Sequence, residues 1–176
     1  ITIAREKETG TLEQLLTTPV KPREILIGKL IPYVVIAFLD GALIVTVATL
    51  LFNVPFVGSH LLLVLFGFVY ITAALSLGIL ISSVTKTQQV AMMLAQTTTL
   101  LPAVMLSGFI FAIRNMPVPL QGISYIVPAR YFVKIIRGIM LKGAGVEVLA
   151  VQAAALVGLT VFFMFIAARK FSTRIG

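Results

Sequence analysis

The sequence contains no cysteine and no tryptophan, a single histidine and only six carboxylate side chains. Without cysteine it has no disulfide framework, no thiol nucleophile and no thiolate metal site. His60 is the one histidine, so zinc sites built on paired histidines and a histidine general base are not expected. Charge is scarce too: charged residues make up 11% of the chain, where a soluble domain carries about a quarter. Gly138-Ile139-Met140-Leu141-Lys142-Gly143 has the glycine spacing of a phosphate loop, but Ala144 stands where the essential lysine belongs. No Gly-x-Ser-x-Gly pattern is present. No enzymatic chemistry, metal or cofactor is therefore expected in this chain, and any nucleotide must bind another one.

Apolar residues fill the space that these absences leave. They make up 59% of the chain, with a mean hydropathy of +1.09, which marks a membrane protein. A helix rising 1.5 Å per residue needs about 20 apolar residues to cross roughly 30 Å of hydrocarbon. Four runs qualify: 31–52, 61–83, 90–113 and 148–168. The first carries Asp40 near its middle. Its Leu, Ile, Val and Phe side chains, about thirteen in number, each favour insertion by roughly 0.3–0.6 kcal/mol, against roughly 2.5–3.5 kcal/mol for one central Asp. Insertion wins, and the fold class is an all-α membrane protein of four transmembrane helices.

The net charge of +8 would point to nucleic acid in a soluble chain. Here the basic residues lie mostly between the apolar runs, where they act as orientation signals, and nucleic acid is not an expected partner. Four spans place both ends on one side. That side holds nine of the 14 basic residues: Arg5, Lys7, Lys21, Arg23, Lys29, Lys86, Arg169, Lys170 and Arg174. The excess places both ends, including the tail 169–176, in the cytoplasm of a cell (inner) membrane protein. Ile1-Thr2-Ile3-Ala4 reads as the end of a preceding membrane helix, so a C-terminal fragment of a longer protein is expected.

The connection 114–145 has an organisation of its own. From Pro128, a favourable first helical residue, Phe132, Ile136, Ile139 and Met140 share one helical face. Arg130, Lys134 and Arg137 share the opposite one, and Gly143-Ala144-Gly145 supplies a stop. This predicts a helix in the outer interface with its basic residues at the level of the lipid headgroups. A shorter apolar piece, 120–127, precedes it. Either piece could instead re-enter the protein, where neighbours satisfy its backbone groups, or be plain surface loop.

Polar residues inside the apolar runs are the candidates for function. Asp40 fits substrate passage or proton and cation handling, or else a hydrogen bond to a neighbouring helix. Gln96, Thr97, Thr98 and Thr99, close to Pro102, fit bonds across helices, replacement of the backbone bond that Pro102 breaks, or contact with substrate. An intramembrane aspartyl hydrolase would need a second buried carboxylate beside Asp40, and none is in the runs. Small residues at Ala74, Gly78 and Ser82, and at Ala150, Ala154 and Gly158, predict ridges for close helix packing. Met92, Met93 and Met105 are expected to fill gaps in the core.

The densest charge lies in residues 1–30, directly before the first run. Thr11 and Gln14 have capping-box spacing, and Leu12, Leu15 and Leu16 form an apolar stripe ended by Pro19 and Pro22. So short a helix is unstable alone in water and must dock. The membrane surface or a groove in a soluble protein would serve equally on spacing alone.

The string Arg5-Glu6-Lys7-Glu8-Thr9-Gly10-Thr11-Leu12-Glu13-Gln14-Leu15-Leu16-Thr17-Thr18-Pro19, with Gly28-Lys29-Leu30-Ile31-Pro32 after it, resembles the cytoplasmic segment of ABC-2 type transporter permeases. Thr87-Gln88-Gln89-Val90-Ala91-Met92 resembles that family's second cytoplasmic loop. Leu106-Ser107-Gly108-Phe109-Ile110-Phe111, Met116-Pro117 and Arg137-Gly138-Ile139-Met140-Leu141-Lys142-Gly143 resemble its outer half.

The resemblance implies a six-span permease, here represented by its last four spans, that pairs with a second permease copy and with a separate ATP-binding subunit. ATP and magnesium would sit on that subunit. Contact with it would fall to Arg5, Glu6, Glu8, Gly10, Thr11, Leu12, Glu13, Leu15 and Leu16, with Lys86 and Gln88 as a lesser contact. Residues 1–30 would be the coupling segment and 31–176 the transmembrane bundle. Pro117, Pro128 and Arg130 would belong to the outer gate, and Asp40, Gln96 and Thr97 to the substrate pathway among membrane lipids. Two other readings use the same residues: an ATP-independent carrier centred on Asp40, and a membrane assembly subunit with no pathway.

Overall fold

The computed structural model describes residues 22–85 and 87–172. The coupling residues from Arg5 to Leu16, and Lys86, lie outside these. Among the described residues every regular element is helical: α1 (Pro22–Leu50), α2 (His60–Val84), α3 (Gln88–Ala95), a π-helical turn (Gln96–Leu100), α4 (Leu101–Leu106), a 3-10 turn (Ile113–Asn115), α5 (Val118–Ser124), α6 (Pro128–Lys142) and α7 (Val146–Ser172). Four stretches are long and apolar enough to cross a membrane: Leu30–Leu50, His60–Val84, Gln88–Leu106 and Val146–Arg169.

The third stretch stops at Leu106 rather than running on to residue 113. Its chain first passes through the π-helical turn, where the Leu101 N–H reaches back to the Gln96 carbonyl. Pro102 follows, and it has no N–H to continue the ladder. Beyond Ser107 the chain leaves the helix at Gly108, whose φ of +84° is in the left-handed region that favours glycine.

The core forms where α2, α6 and α7 meet. Ile135 and Ile139 of α6 and Leu156 of α7 are fully enclosed, beside Phe66 of α2 and Leu149 of α7. Tyr70 of α2 stacks on Phe132 of α6, with ring centroids 4.4 Å apart and planes 4° from parallel. Thr160 of α7 hydrogen-bonds the Leu156 carbonyl at 2.7 Å and reaches the Val69 carbonyl of α2 at 3.4 Å.

The predicted helix from Pro128 to the Gly143 stop is present. Gly143 is a left-handed C-cap, and the Ala144 and Gly143 N–H groups return to the Gly138 and Ile139 carbonyls. Its setting differs from an interfacial helix. Tyr70 lies ten positions into α2, about 15 Å along the axis, whereas the Met140 carbonyl accepts from Val57 N–H in the 51–59 loop at 3.0 Å. Helix α6 therefore runs alongside α2 in the opposite sense, from mid-bundle to the loop end. Its apolar face is too broad for lipid alone, because α2 and α7 cover Ile135, which the sequence reading left out of that face.

Two packing expectations fail. Ala150, Ala154 and Gly158 of α7 are exposed, and the buried stripe is Leu149, Leu156, Thr160, Phe163 and Ala167. Large side chains interdigitating with α2 and α6 take the place of a small-residue ridge. Met92, Met93 and Met105 are exposed as well, because α3 and α4 lie at the periphery of the three-helix core. Helix α1 is also peripheral. It meets α2 through Phe38 and Phe68, stacked at 6.1 Å, and leaves Ile36, Leu39, Leu43 and Ile44 uncovered.

Candidate functional site

Residues 107–142 bring together the short elements that adjoin α6. Pro117 and Pro128 each open a helix, α5 and α6, where a missing N–H costs nothing. Pro117 is exposed at the start of α5, and Pro128 is buried. The chain between them turns through Tyr125 and Val127, so the end of α5 leads directly into the start of α6.

Arg130 ties the start of α6 to the end of α5. It is 7% exposed, and one terminal nitrogen donates to the Ser124 hydroxyl and to the Gln121 carbonyl at 3.3 Å. Its guanidinium lies 3.8 Å from the centre of the Tyr125 ring. The Tyr131 hydroxyl adds a bond to the Tyr125 carbonyl at 3.0 Å. All these acceptors sit at the C-terminal end of α5, where unsatisfied carbonyls carry the negative pole of the helix dipole. Arg130 Nε is buried with no partner. The side chain thus closes α5 rather than standing at headgroup level.

Arg137, two turns further along the same side of α6, is exposed and does the same for a different helix. Its two terminal nitrogens donate to the Gly108 carbonyl at 3.2 Å and the Phe109 carbonyl at 3.3 Å, just past the end of α4. Ser107 beside them is 1% exposed and accepts from the Phe109 N–H. A groove of about 260 Å³ lies between this bend and α5, lined by Met105, Leu106, Phe111, Met116, Pro117 and Leu120. The Gln121 amide donates to the carbonyl of Met116, one of these lining residues, at 2.8 Å.

The predicted pathway residues do not converge within this chain. Asp40 is exposed on α1. Gln96 and Thr97 are exposed on the π-helical turn. The threonine hydroxyls do not bond across helices: Thr97 returns to the Met93 carbonyl at 2.8 Å and Thr98 to the Leu94 carbonyl at 2.5 Å. A hydroxyl one turn along finds its own helix's carbonyl before any neighbour's. Gln88 opens α3, one residue after Thr87, whose hydroxyl caps the helix by accepting from Val90 N–H at 3.4 Å.

Arg137, Ser107, Gly108, Gln121 and Ser124 were not foreseen as site residues. The available signal was a pair of arginines seven apart on one short helix, facing two helix ends rich in Ser and Gly.

Residues 1–141 match the model of the ABC-2 type transporter family. A probable multidrug ABC transporter permease of Escherichia coli strain K12, YbhS, is 38% identical over 164 residues, covering 93% of this chain and 44% of that protein. A second one from the same organism, YbhR, is 38% identical over 151 residues, covering 84% of this chain and 40% of that protein. ABC transporter G family member 20 of Dictyostelium discoideum is 28% identical over 169 residues, covering 95% and 23%. The chain thus spans less than half the length of these relatives. No solved structure matches it.

Proposed function

The chain belongs to the ABC-2 type transporter family, and from that premise we propose that it forms part of the substrate pathway of an ATP-driven exporter and is driven by a separate ATP-binding subunit. The carrying observation is the union of four membrane-length helices with a polar segment directly ahead of the first of them. Two copies of the permease, identical or related, build the pathway in the cell membrane with both ends of this chain cytoplasmic. The name of the Escherichia coli relatives makes drug-like small molecules the first cargo to test.

Closure of the ATP-binding partners pushes on Arg5 to Leu16. Helix α1 begins just beyond that segment and runs 29 residues, about 44 Å, to the 51–59 loop, with Pro32 inside it. That loop is bonded to the end of α6 through Val57 and Met140. A tilt of α1 therefore reaches α6 and, through Arg130, α5, which with Pro117 and Pro128 make up the outer gate. Asp40, Gln96 and Thr97, exposed in the single chain, line the pathway once the second copy is in place. An unpaired mid-span carboxylate facing lipid is costly, which favours such cover.

Replacing Glu6, Glu8 and Glu13 with Lys is expected to abolish substrate-stimulated ATP hydrolysis by the partner while membrane insertion is kept. Unchanged stimulation in reconstituted complexes would overturn the reading. The ATP-independent alternative makes the opposite prediction: transport that survives ATP depletion and disappears in Asp40→Asn. On the proposed mechanism, ATP depletion stops transport with either residue at position 40.

A further inference from the structure

Helix α6 carries two arginines on one side, and each closes a different short helix from the same scaffold. Their environments differ in the way that matters for movement. The bonds of Arg130 to Gln121 and Ser124 are made by a buried guanidinium stacked on Tyr125, so breaking them strands a cation in an apolar site. The bonds of Arg137 to Gly108 and Phe109 are made by an exposed guanidinium, which water can resolvate as they break. One clasp is permanent and the other is releasable.

What the releasable clasp holds is the end of the third span. That span is also bent along its own length. Pro102 and the π-helical turn interrupt its backbone ladder, and Gly108 is in a conformation that lets the chain swing away. Helix α6, by contrast, is locked into the core through Ile135 and Ile139.

We propose that Arg137 is a positioning residue of the export cycle: its two bonds hold the outer end of the third span against α6, and their release frees that end to open the pathway. This rests on the exporter reading for its place in the cycle, but the clasp itself does not depend on ATP. The push that reaches α6 through the 51–59 loop shifts Arg137 relative to Gly108 and Phe109. Both carbonyls then exchange to water, and Ser107, enclosed while the clasp is shut, becomes accessible.

Ser107 supplies a clean probe, since these 176 residues contain no cysteine. The test uses the full-length permease in membranes, with Ser107→Cys and any cysteine outside these residues replaced, treated with a membrane-impermeant maleimide. Without nucleotide, labelling is expected to be slow in the Arg137 parent and several-fold faster in Arg137→Gln. Arg137→Lys, which keeps the charge but loses the two-pronged geometry, is expected to fall between them. Lys134→Gln, on the exposed side of the same helix, is expected to label like the parent. Equal labelling of parent, Arg137→Gln and Arg137→Lys, each inserted at parental levels, would overturn the clasp. Should Arg137→Gln insert poorly, Arg137→Lys against the parent decides alone. Adding ATP and the ATP-binding subunit to the parent tests the exporter reading separately. Faster labelling in Arg137→Gln with no nucleotide response in the parent keeps the clasp and removes its driver.

Discussion

Gly58→Val is expected to destabilise the folded permease by about 3 kcal/mol or more, at or above the top of the usual range for overpacking. A Cβ at residue 58 would lie 2.4 Å from the carbonyl oxygen of Ile139 and 2.9 Å from its Cγ2. The first of these is backbone, so no rotamer change relieves it. The loop would have to lift from α6, breaking the Val57 to Met140 bond and withdrawing Val57 from Gly143, where a Cβ would already be as close as 3.2 Å. Gly67→Ala in α2 is the matched control. Nothing lies within 4 Å of its added methyl group, and removing a helical glycine should raise stability by roughly 0.5–1 kcal/mol. Thermal unfolding of the purified permease, followed by circular dichroism, separates the two. If both variants melt together, the loop does not grip α6 as described.

The same variant bears on function. In the proposed cycle the 51–59 loop carries the push from the end of α1 directly to the end of α6. A loop lifted by valine would leave nucleotide binding intact and lower transport.

The sequence made the apolar skeleton legible. Runs of twenty or more apolar residues fix three of the four membrane-length helices to within a few positions, because bilayer thickness sets helix length independently of neighbours. Pro128 and Gly143 were readable as the ends of α6 because their backbone chemistry is local. The third span was legible only in part: Pro102 was visible, but the stop at Gly108 lay inside an apolar run continuing to Ile113, which masked it. The fate of the basic residues was not legible at all. An arginine at headgroup level and one that closes a neighbouring helix present the same spacing, and only the position of α4 and α5 beside α6 distinguishes them. For the same reason the alanine ridge of α7 was misread. Small residues permit close approach, but the positions this core buries on α7 include Leu149, Leu156 and Phe163. Asp40, Gln96 and Thr97 were identified by chemistry alone, and their exposure here is what makes a second copy necessary to the proposal.

Ile135→Ala and Ile139→Ala decide whether α6 is the keystone of the fold or a helix resting at its edge. Both side chains are fully enclosed. In a soluble core such truncations cost about 2–5 kcal/mol, the sum of a transfer term and a cavity term. In a bilayer the transfer term largely drops out, since lipid tails are as apolar as the core, and lost packing remains. Each substitution is therefore expected to cost about 2 kcal/mol, the lower end of that range. The pair should cost less than the sum, because the residues are one turn apart and share Phe66, Leu149 and Leu156 as neighbours. Lys134→Ala, on the exposed side, should stay within about 0.5 kcal/mol of the parent. An edge helix would tolerate all three substitutions alike. A keystone would not, and its loosening should also speed labelling at Ser107→Cys, because an arginine clasp can hold the third span only as firmly as α6 itself is held.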